Sequence, residues 1–410
     1  MHQVAGPILA LLGGVAFLML GNGALGSLIG LRLAAEAGPV VVGLVTTAYF
    51  GGVTAGSLYA YGVVARVGHI RAFSAFASVL SAASLAHALA ADPLLWAALR
   101  LMEGFCMAGL FICVESWLND KATNETRGQV LSLYMVTLYG AMAAGQQLLN
   151  LDDAGAAVFM AVSILLSLAL VPVALTRTTP PVLPDVSSFG LRRLYRASPL
   201  GVAGVFVSGA VSGAVYGLGP VFATASGFEV SGTALFMTVL ILGGVALQWP
   251  FGRLSDRFDR RAVLVGLSAA LVAASLAMVE ATGLHPLLML GTAALFGGIS
   301  FTLYPVSLAH TNDHVERADL VSASGGLILA NSMGAILGPL LASAAMAGMG
   351  PRGLFAFTGA AALAATLYGL WRTRVRPPVP AEAQGRFRPM PQTTPVAAPL
   401  DPRPDAGAVT

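Results

Sequence analysis

The chain reads as long apolar stretches cut by short polar breaks. Stretches rich in Leu, Val, Ala, Gly and Phe recur near 6–31, 39–64, 72–91, 94–117, 128–149 and 154–175. They resume near 199–224, 231–252, 262–281, 286–309, 319–346 and 353–372. A bilayer core about 30 Å thick takes around 20 residues of helix to cross. An isolated span must satisfy its own backbone hydrogen bonds in lipid, so each stretch is predicted to be a transmembrane α-helix. Breaks such as Asp92-Pro93 and Leu151-Asp152-Asp153 are short, which makes most neighbours antiparallel hairpins. The start, Met1-His2-Gln3, has no charged region and no small-residue cleavage site follows, so the first stretch is expected to be a retained span.

The twelve predicted spans form two sets of six. Residues 176–198 hold Pro180, Pro181, Pro184 and four arginines without a spanning pattern, and are expected to be a linker between bundles at 1–175 and 199–375. Sliding one half over the other by about 191–193 residues superposes Asn119-Asp120 on Asn312-Asp313 and Arg66-Val67 on Arg257-Phe258. Gly145 and Leu148 likewise fall on Gly338 and Leu341, so a duplication is expected. The fold class is therefore all-α: twelve transmembrane helices in two pseudo-symmetric six-helix bundles. The Pro- and Ala-rich tail, 376–410, has no apolar run and is expected to be disordered.

Composition agrees with this class. Charged residues make up 10% of the chain, against about 25% in soluble domains, and mean hydropathy is +0.79. Two cysteines, Cys106 and Cys113, exclude a disulfide scaffold or a multi-cysteine metal site. The basic residues are scattered through short loops, which speaks for orientation rather than nucleic-acid binding. Arg66, Arg71, Lys121, Arg127, the connector arginines, Arg253, Arg257, Arg260, Arg261, Arg317 and the tail arginines share one side. The other side has Arg32 and Arg352, a tally of 19 against 2, with Arg100 left inside a span. The positive-inside rule then places both termini and the connector in the cytoplasm of a bacterial inner membrane.

Between spans eight and nine the chain reads Gly252-Arg253-Leu254-Ser255-Asp256-Arg257-Phe258-Asp259-Arg260-Arg261. This resembles the cytoplasmic G-x-L-[AS]-D-R-x-[GD]-R-[RK] loop of the major facilitator superfamily. The resemblance implies a gate at Gly252, Asp256, Arg257, Arg260 and Arg261, with Asp256 accepting hydrogen bonds from a neighbouring helix N-terminus. The first-half counterpart has Ala65 in place of the aspartate, so its latch is expected to be weaker. Span four contributes Arg100-Leu101-Met102-Glu103-Gly104, resembling the superfamily's R-x-x-[QE]-G motif. With Glu115-Ser116-Trp117-Leu118-Asn119 and Asn124-Glu125-Thr126-Arg127-Gly128, the chain is similar to the YcaD-like branch. Glu115 and Arg127 are expected to join the gate. The Gly-Pro motif of proton-coupled drug exporters is absent from span five, which reads Gly145-Gln146-Gln147; Gly334, Gly338 and Pro339 in span eleven suit close helix packing.

Ionisable groups at membrane depth are costly and point to function. Arg100 and Glu103, three apart, share a helix face. Burial disfavours the carboxylate's ionised form and the arginine favours it, so Glu103 can exchange a proton when its partner moves. A fixed structural pair is the other reading. In the superfamily, spans one, four, seven and ten line the cavity, which makes Asn22 and Tyr216 candidates; Tyr139 and Asn331 also lie near the midplane. Gln248 and Tyr304 are inner-gate candidates, and Gly209, Gly213 and Gly217 form a small-residue stripe. No metal-ligand spacing, P-loop or catalytic set occurs, so no enzyme activity, metal or cofactor is expected. The expected function is secondary active transport of a small solute by alternating access, proton-coupled, with import and export both open. The expected partners are that solute, protons and the bilayer, and the chain is expected to act as a monomer. The rival is a non-transporting membrane sensor or assembly subunit on the same fold.

Overall fold

The computed structural model describes residues 2–123, 125–151, 156–175, 181, 190–283, 285–316, 319–375, 379 and 384–400. Among them the regular structure is helical, with no strand. The first helix, α1 (His2–Val67), has 66 residues, about 100 Å at 1.5 Å per residue, far more than one crossing needs. Gly38 divides it with φ 78° and ψ 175°, a left-handed φ that costs glycine nothing sterically. The expected first and second spans are therefore the two arms of α1.

The other spans follow in order. They are α2 (His69–Ala86), α3 (Pro93–Lys121), α4 (Arg127–Gly145), and α5 with α6 (Ala156–Leu168, Leu170–Ala174). A short helix, α7 (Leu191–Ala197), comes next, then α8 (Pro199–Ala225), α9 (Val230–Arg257) and α10 (Arg260–Ala281). The last three are α11 (Pro286–Asn312), α12 (Leu320–Met349) and α13 (Gly353–Val375). Nine helical stretches among the described residues are long and apolar enough to cross a membrane. Two of these, Ile8–Val67 and Leu320–Val375, each hold two of the expected spans; α4, outside the nine, lies where the fifth span was expected, so the helices are consistent with twelve. Chain chemistry sets the starts: Asp92 caps α3 by accepting from Leu95 N–H at 2.7 Å, with Pro93 opening the helix. Within the expected linker, 176–180 and 182–189 lie outside the described residues, and α7 occupies much of the rest.

The chain divides into two units. The first holds Met1–Ile29, Ala48–Val186 and Thr393–Thr410; the second holds Gly30–Thr47 and Ser187–Gln392. Residues 30–47, expected in the first bundle, thus belong with the second. The reason is close packing there: Thr47 Oγ1 donates to the Ile336 carbonyl at 2.9 Å, and Gly217 leaves room for the Thr46 side chain.

Backbone-to-backbone approaches at glycine build each unit and display the repeat. In the first unit a Cβ on Gly52 would strike the Leu101 carbonyl, one on Gly104 the Tyr49 carbonyl, and one on Gly145 the Leu20 carbonyl. In the second, Gly243 meets the Ala294 carbonyl, Gly297 that of Leu240, and Gly338 that of Ala210. Each glycine and each carbonyl has its counterpart about 190 positions along. Three contacts between two helix pairs in one unit therefore recur in the other. The Gly209 and Gly213 stripe faces the backbone of α12 at Asn331 and Ala335, so the expected close packing is present.

The tail departs from its composition. Residues 384–400 are described and held against helices rather than loose, and Pro395–Leu400 forms a 3₁₀ turn packed on α3 and α4. Val396, Ala397 and Leu400 are buried there. Residues 376–378, 380–383 and 401–410 lie outside the described set.

Candidate functional site

The first unit contains a buried polar cluster around α3. Gly52 and Gly104 bring the second arm of α1 onto α3, and this sets Tyr49 beside Arg100. The Arg100 guanidinium lies over the Tyr49 ring, 3.9 Å from its centroid, a favourable cation–π geometry. Its Nη1 donates to Glu103 Oε2 at 2.9 Å, as the i,i+3 spacing predicts. The side chains are 7% and 0% exposed, so this is a desolvated pair. The second carboxylate oxygen, Oε1, faces His87 Nδ1 at 3.4 Å and has no hydrogen-bond partner. His87 Nδ1 lies 2.9 Å from the Ala83 carbonyl, and Trp96 and Phe159 enclose the ring. Tyr49 Oη reaches Asn22 Oδ1 at 3.4 Å, which ties the midplane candidate of span one to the same cluster.

His87 and Tyr49 escaped the sequence reading. Their partners are on other helices, beyond the reach of any local spacing rule.

Tyr139 is buried on α4. In the second unit, Asn331 Nδ2 donates to the Val205 carbonyl at 3.0 Å, spending its amide on joining α12 to α8. Tyr216 sits with its ring 5.8 Å from that of Phe301. Gln248 Nε2 reaches the Phe301 carbonyl at 3.4 Å.

The loop motif of the second unit is built around Arg260. Its side chain is 1% exposed. It donates to Asp313 Oδ2 at 2.5 Å, Asp256 Oδ1 at 3.1 Å, the Ala309 carbonyl at 3.3 Å and the Gly385 carbonyl at 2.7 Å. Asp313 Oδ1 in turn accepts from Gly385 N–H at 3.0 Å, and Asp256 Oδ1 from Phe387 N–H at 2.7 Å. Asp256 was expected to serve a helix N-terminus. That duty falls to Asp259, which caps α10 by accepting from Arg261 N–H at 3.1 Å and pairs with Arg261 Nη2 at 3.0 Å. Asp256 instead lies in the last turn of α9, one residue before its end, where it holds Arg260 and the Phe387 amide. Gly252 is required because the Phe387 ring occupies the space a Cβ would take. Arg257 is exposed.

Glu115 and Arg127, expected beside that loop, belong to the first unit. Arg127 opens α4 and is half-buried. Glu115 is fully buried. Its Oε1 accepts from Tyr134 Oη at 2.9 Å and from the Thr393 hydroxyl, and its Oε2 accepts from the Thr394 hydroxyl. One turn further along α3, Asn119 Nδ2 donates to the Val396 carbonyl. Among the described residues no cluster of His, Cys, Asp and Glu could hold a metal. Cys106 and Cys113 are free and buried.

Known proteins share this arrangement of helices. The family model described as Major Facilitator Superfamily matches residues 11–279 and 202–402. YcaD of Escherichia fergusonii, an uncharacterised MFS-type transporter, is 32% identical over 337 residues, which cover 81% of this chain and 87% of the relative. Among solved structures, a variant of the nucleoside transporter NupG matches with a TM-score of 0.75 at 13% identity, covering 89% of this chain and 99% of that one. A bacterial homologue of the human lysosomal transporter Spinster, inward-facing and unoccupied, matches with a TM-score of 0.72 at 16% identity, covering 93% and 98%. At these identities both speak for the fold.

Proposed function

We propose that this chain, which belongs to the Major Facilitator Superfamily, is a proton-coupled secondary transporter of the bacterial inner membrane with both termini in the cytoplasm. A small solute of little charge would bind near the midplane and be exposed alternately to each side. A multiply anionic solute would want several basic ligands at depth, and Arg100 is the arginine that the loop tally leaves inside a span.

The observation that carries the coupling is the state of the Glu103 carboxyl. One oxygen is held by Arg100, while the other is buried without a hydrogen bond and faces His87. That second oxygen is where a proton adds. Protonation neutralises Glu103 and releases its hold on Arg100, whose guanidinium keeps the Tyr49 face as an alternative contact. Loss of the proton restores the pair. Carboxyl occupancy and side-chain arrangement are thus linked within one helix face, as a coupling site requires. Asp256, Arg260 and Asp313 supply the cytoplasmic gate in this reading.

The test is Glu103→Gln, which keeps size and hydrogen-bonding capacity but removes the titratable group. In proteoliposomes screened with a solute panel, gradient-driven accumulation should fail. Exchange between compartments of equal pH should persist, since it needs no net proton movement. Accumulation at the parent rate would show that the pair is structural.

A further inference from the structure

The contacts of Glu115 serve neither the proton site nor the gate loop. A wholly buried carboxylate takes three hydroxyl groups, two of them from adjacent threonines more than 270 positions later in the chain. We propose that Glu115, Tyr134 and Asn119 form a binding site for a neutral peptide segment bearing two neighbouring hydroxyls, and that Thr393–Leu400 is its tethered, releasable occupant.

The chemistry of the site fits that segment closely. A carboxylate offers two oxygens and about four lone pairs. Adjacent hydroxyls on Thr393 and Thr394 bind one oxygen each, while Tyr134 takes a further position on Oε1. Asn119 then reads the backbone at Val396, one helical turn along α3. The remaining affinity is apolar: Val396, Ala397 and Leu400 are 2%, 1% and 0% exposed. Pro395 begins the 3₁₀ turn that presents these side chains, and a proline fixes its own φ beforehand. Buried apolar side chains, paired hydroxyls and a read backbone carbonyl make a specific site rather than chance coverage.

Two facts make the occupant releasable. The segment is joined to the helices through a short stretch of chain that packs as irregular backbone at 384–391. The carboxylate it caps would be satisfied on release by water, since it lies near the Lys121 end of α3 rather than at its middle. Release therefore exposes the Glu115 end of α3, and docking covers it. On the transporter reading this is the cytoplasmic end, so the docked tail is an internal block that a partner or solute must displace.

The experiment uses the full chain in lipid nanodiscs, with amide hydrogen exchange read over 393–400. The Thr393→Val/Thr394→Val variant keeps shape but removes both donors, and its changes lie in the tail, outside the bundle. Tail exchange should be slow in the parent and at least tenfold faster in that variant and in Glu115→Gln. A fluorescent synthetic peptide of residues 390–402 is the second probe. It should bind the double-valine chain, whose own tail holds the site less firmly, at least tenfold more tightly than the parent, whose site is filled, or Glu115→Gln, whose site is altered. Equal exchange in parent and double-valine chains, or equal peptide binding to all three, would overturn the proposal. Neither readout needs solute movement. If both hold while no chain moves any solute, the tethered site stands and the transporter reading is the one refuted.

Discussion

Removing the Arg100 guanidinium tests the buried pair most directly. Glu103 is completely buried and its ion-pair partner is 2.9 Å away. Arg100→Ala therefore leaves an uncompensated carboxylate, a change that costs about 3–5 kcal/mol when one member of a buried pair is truncated. Loss of the contact with Tyr49, at 3.9 Å from the ring centroid, adds about 0.5–2 kcal/mol. In the double variant Arg100→Ala/Glu103→Gln the charge is gone; the lost ring contact is common to both variants, and the unsatisfied amide costs about 1–3 kcal/mol. Set against the stranded charge, the second change should therefore recover about 2 kcal/mol, some thirtyfold in the unfolding equilibrium at 1.4 kcal/mol per factor of ten. Unfolding of purified protein in mixed micelles, titrated with a denaturing detergent and followed by tryptophan fluorescence, measures the difference. A double variant no more stable than Arg100→Ala would mean that Glu103 is not held as an ion in the folded protein, and the proposed proton site would fall with it.

Three further outcomes are expected. Asp313→Asn removes one of the two carboxylates that hold the buried Arg260 and should destabilise by about 2–4 kcal/mol, with faster amide exchange at Gly385 than in the parent. Gly338→Ala drives a Cβ into the Ala210 carbonyl and should cost about 1–3 kcal/mol, whereas Gly348→Ala, which has open space around it, should be neutral or slightly stabilising in the same melt. A cysteine placed in 185–190 should react with reagents that enter the cytoplasm and not with impermeant ones added to intact cells; the native Cys106 and Cys113 are buried and give little background.

The spans were legible because lipid leaves the chain so few options: a long apolar run in a bilayer becomes helix. Arg100 and Glu103 were legible for a local reason, since three positions apart on a helix means side by side. His87 was not, because nothing in its own sequence neighbourhood says that α2 ends against Glu103. Tyr49 needed the glycines at 52 and 104 to be read as a pair of touching backbones. The repeat did carry that information, in Gly52 with Gly243 and Gly104 with Gly297, but dipeptide matching looks at side chains and passes over contacts made by their absence. Asp256 was given the capping role because its motif sits before a helix, yet Asp259 is nearer the start of α10 and takes it. The tail misled by composition: proline and alanine speak for disorder, while its order comes from Thr393, Thr394 and Val396 finding partners far back in the chain.

Residues 385–396 complete contacts whose other halves lie far earlier in the chain. Glu115 leaves the ribosome with Tyr134 as its near partner in sequence, and meets Thr393 and Thr394 only after more than 270 further residues have been made. Asp256 and Asp313 likewise hold Arg260 first and receive the Phe387 and Gly385 amides at the end. A chain that stops early, or whose end is trimmed by a peptidase, keeps every span yet presents bare carboxylates at the membrane surface. Intact and clipped molecules would then differ in what cellular proteases and insertion machinery can see. A reporter fused at the C-terminus should leave such contacts unmade more often than one fused at the N-terminus, which makes the choice of fusion end a variable in any measurement on this protein.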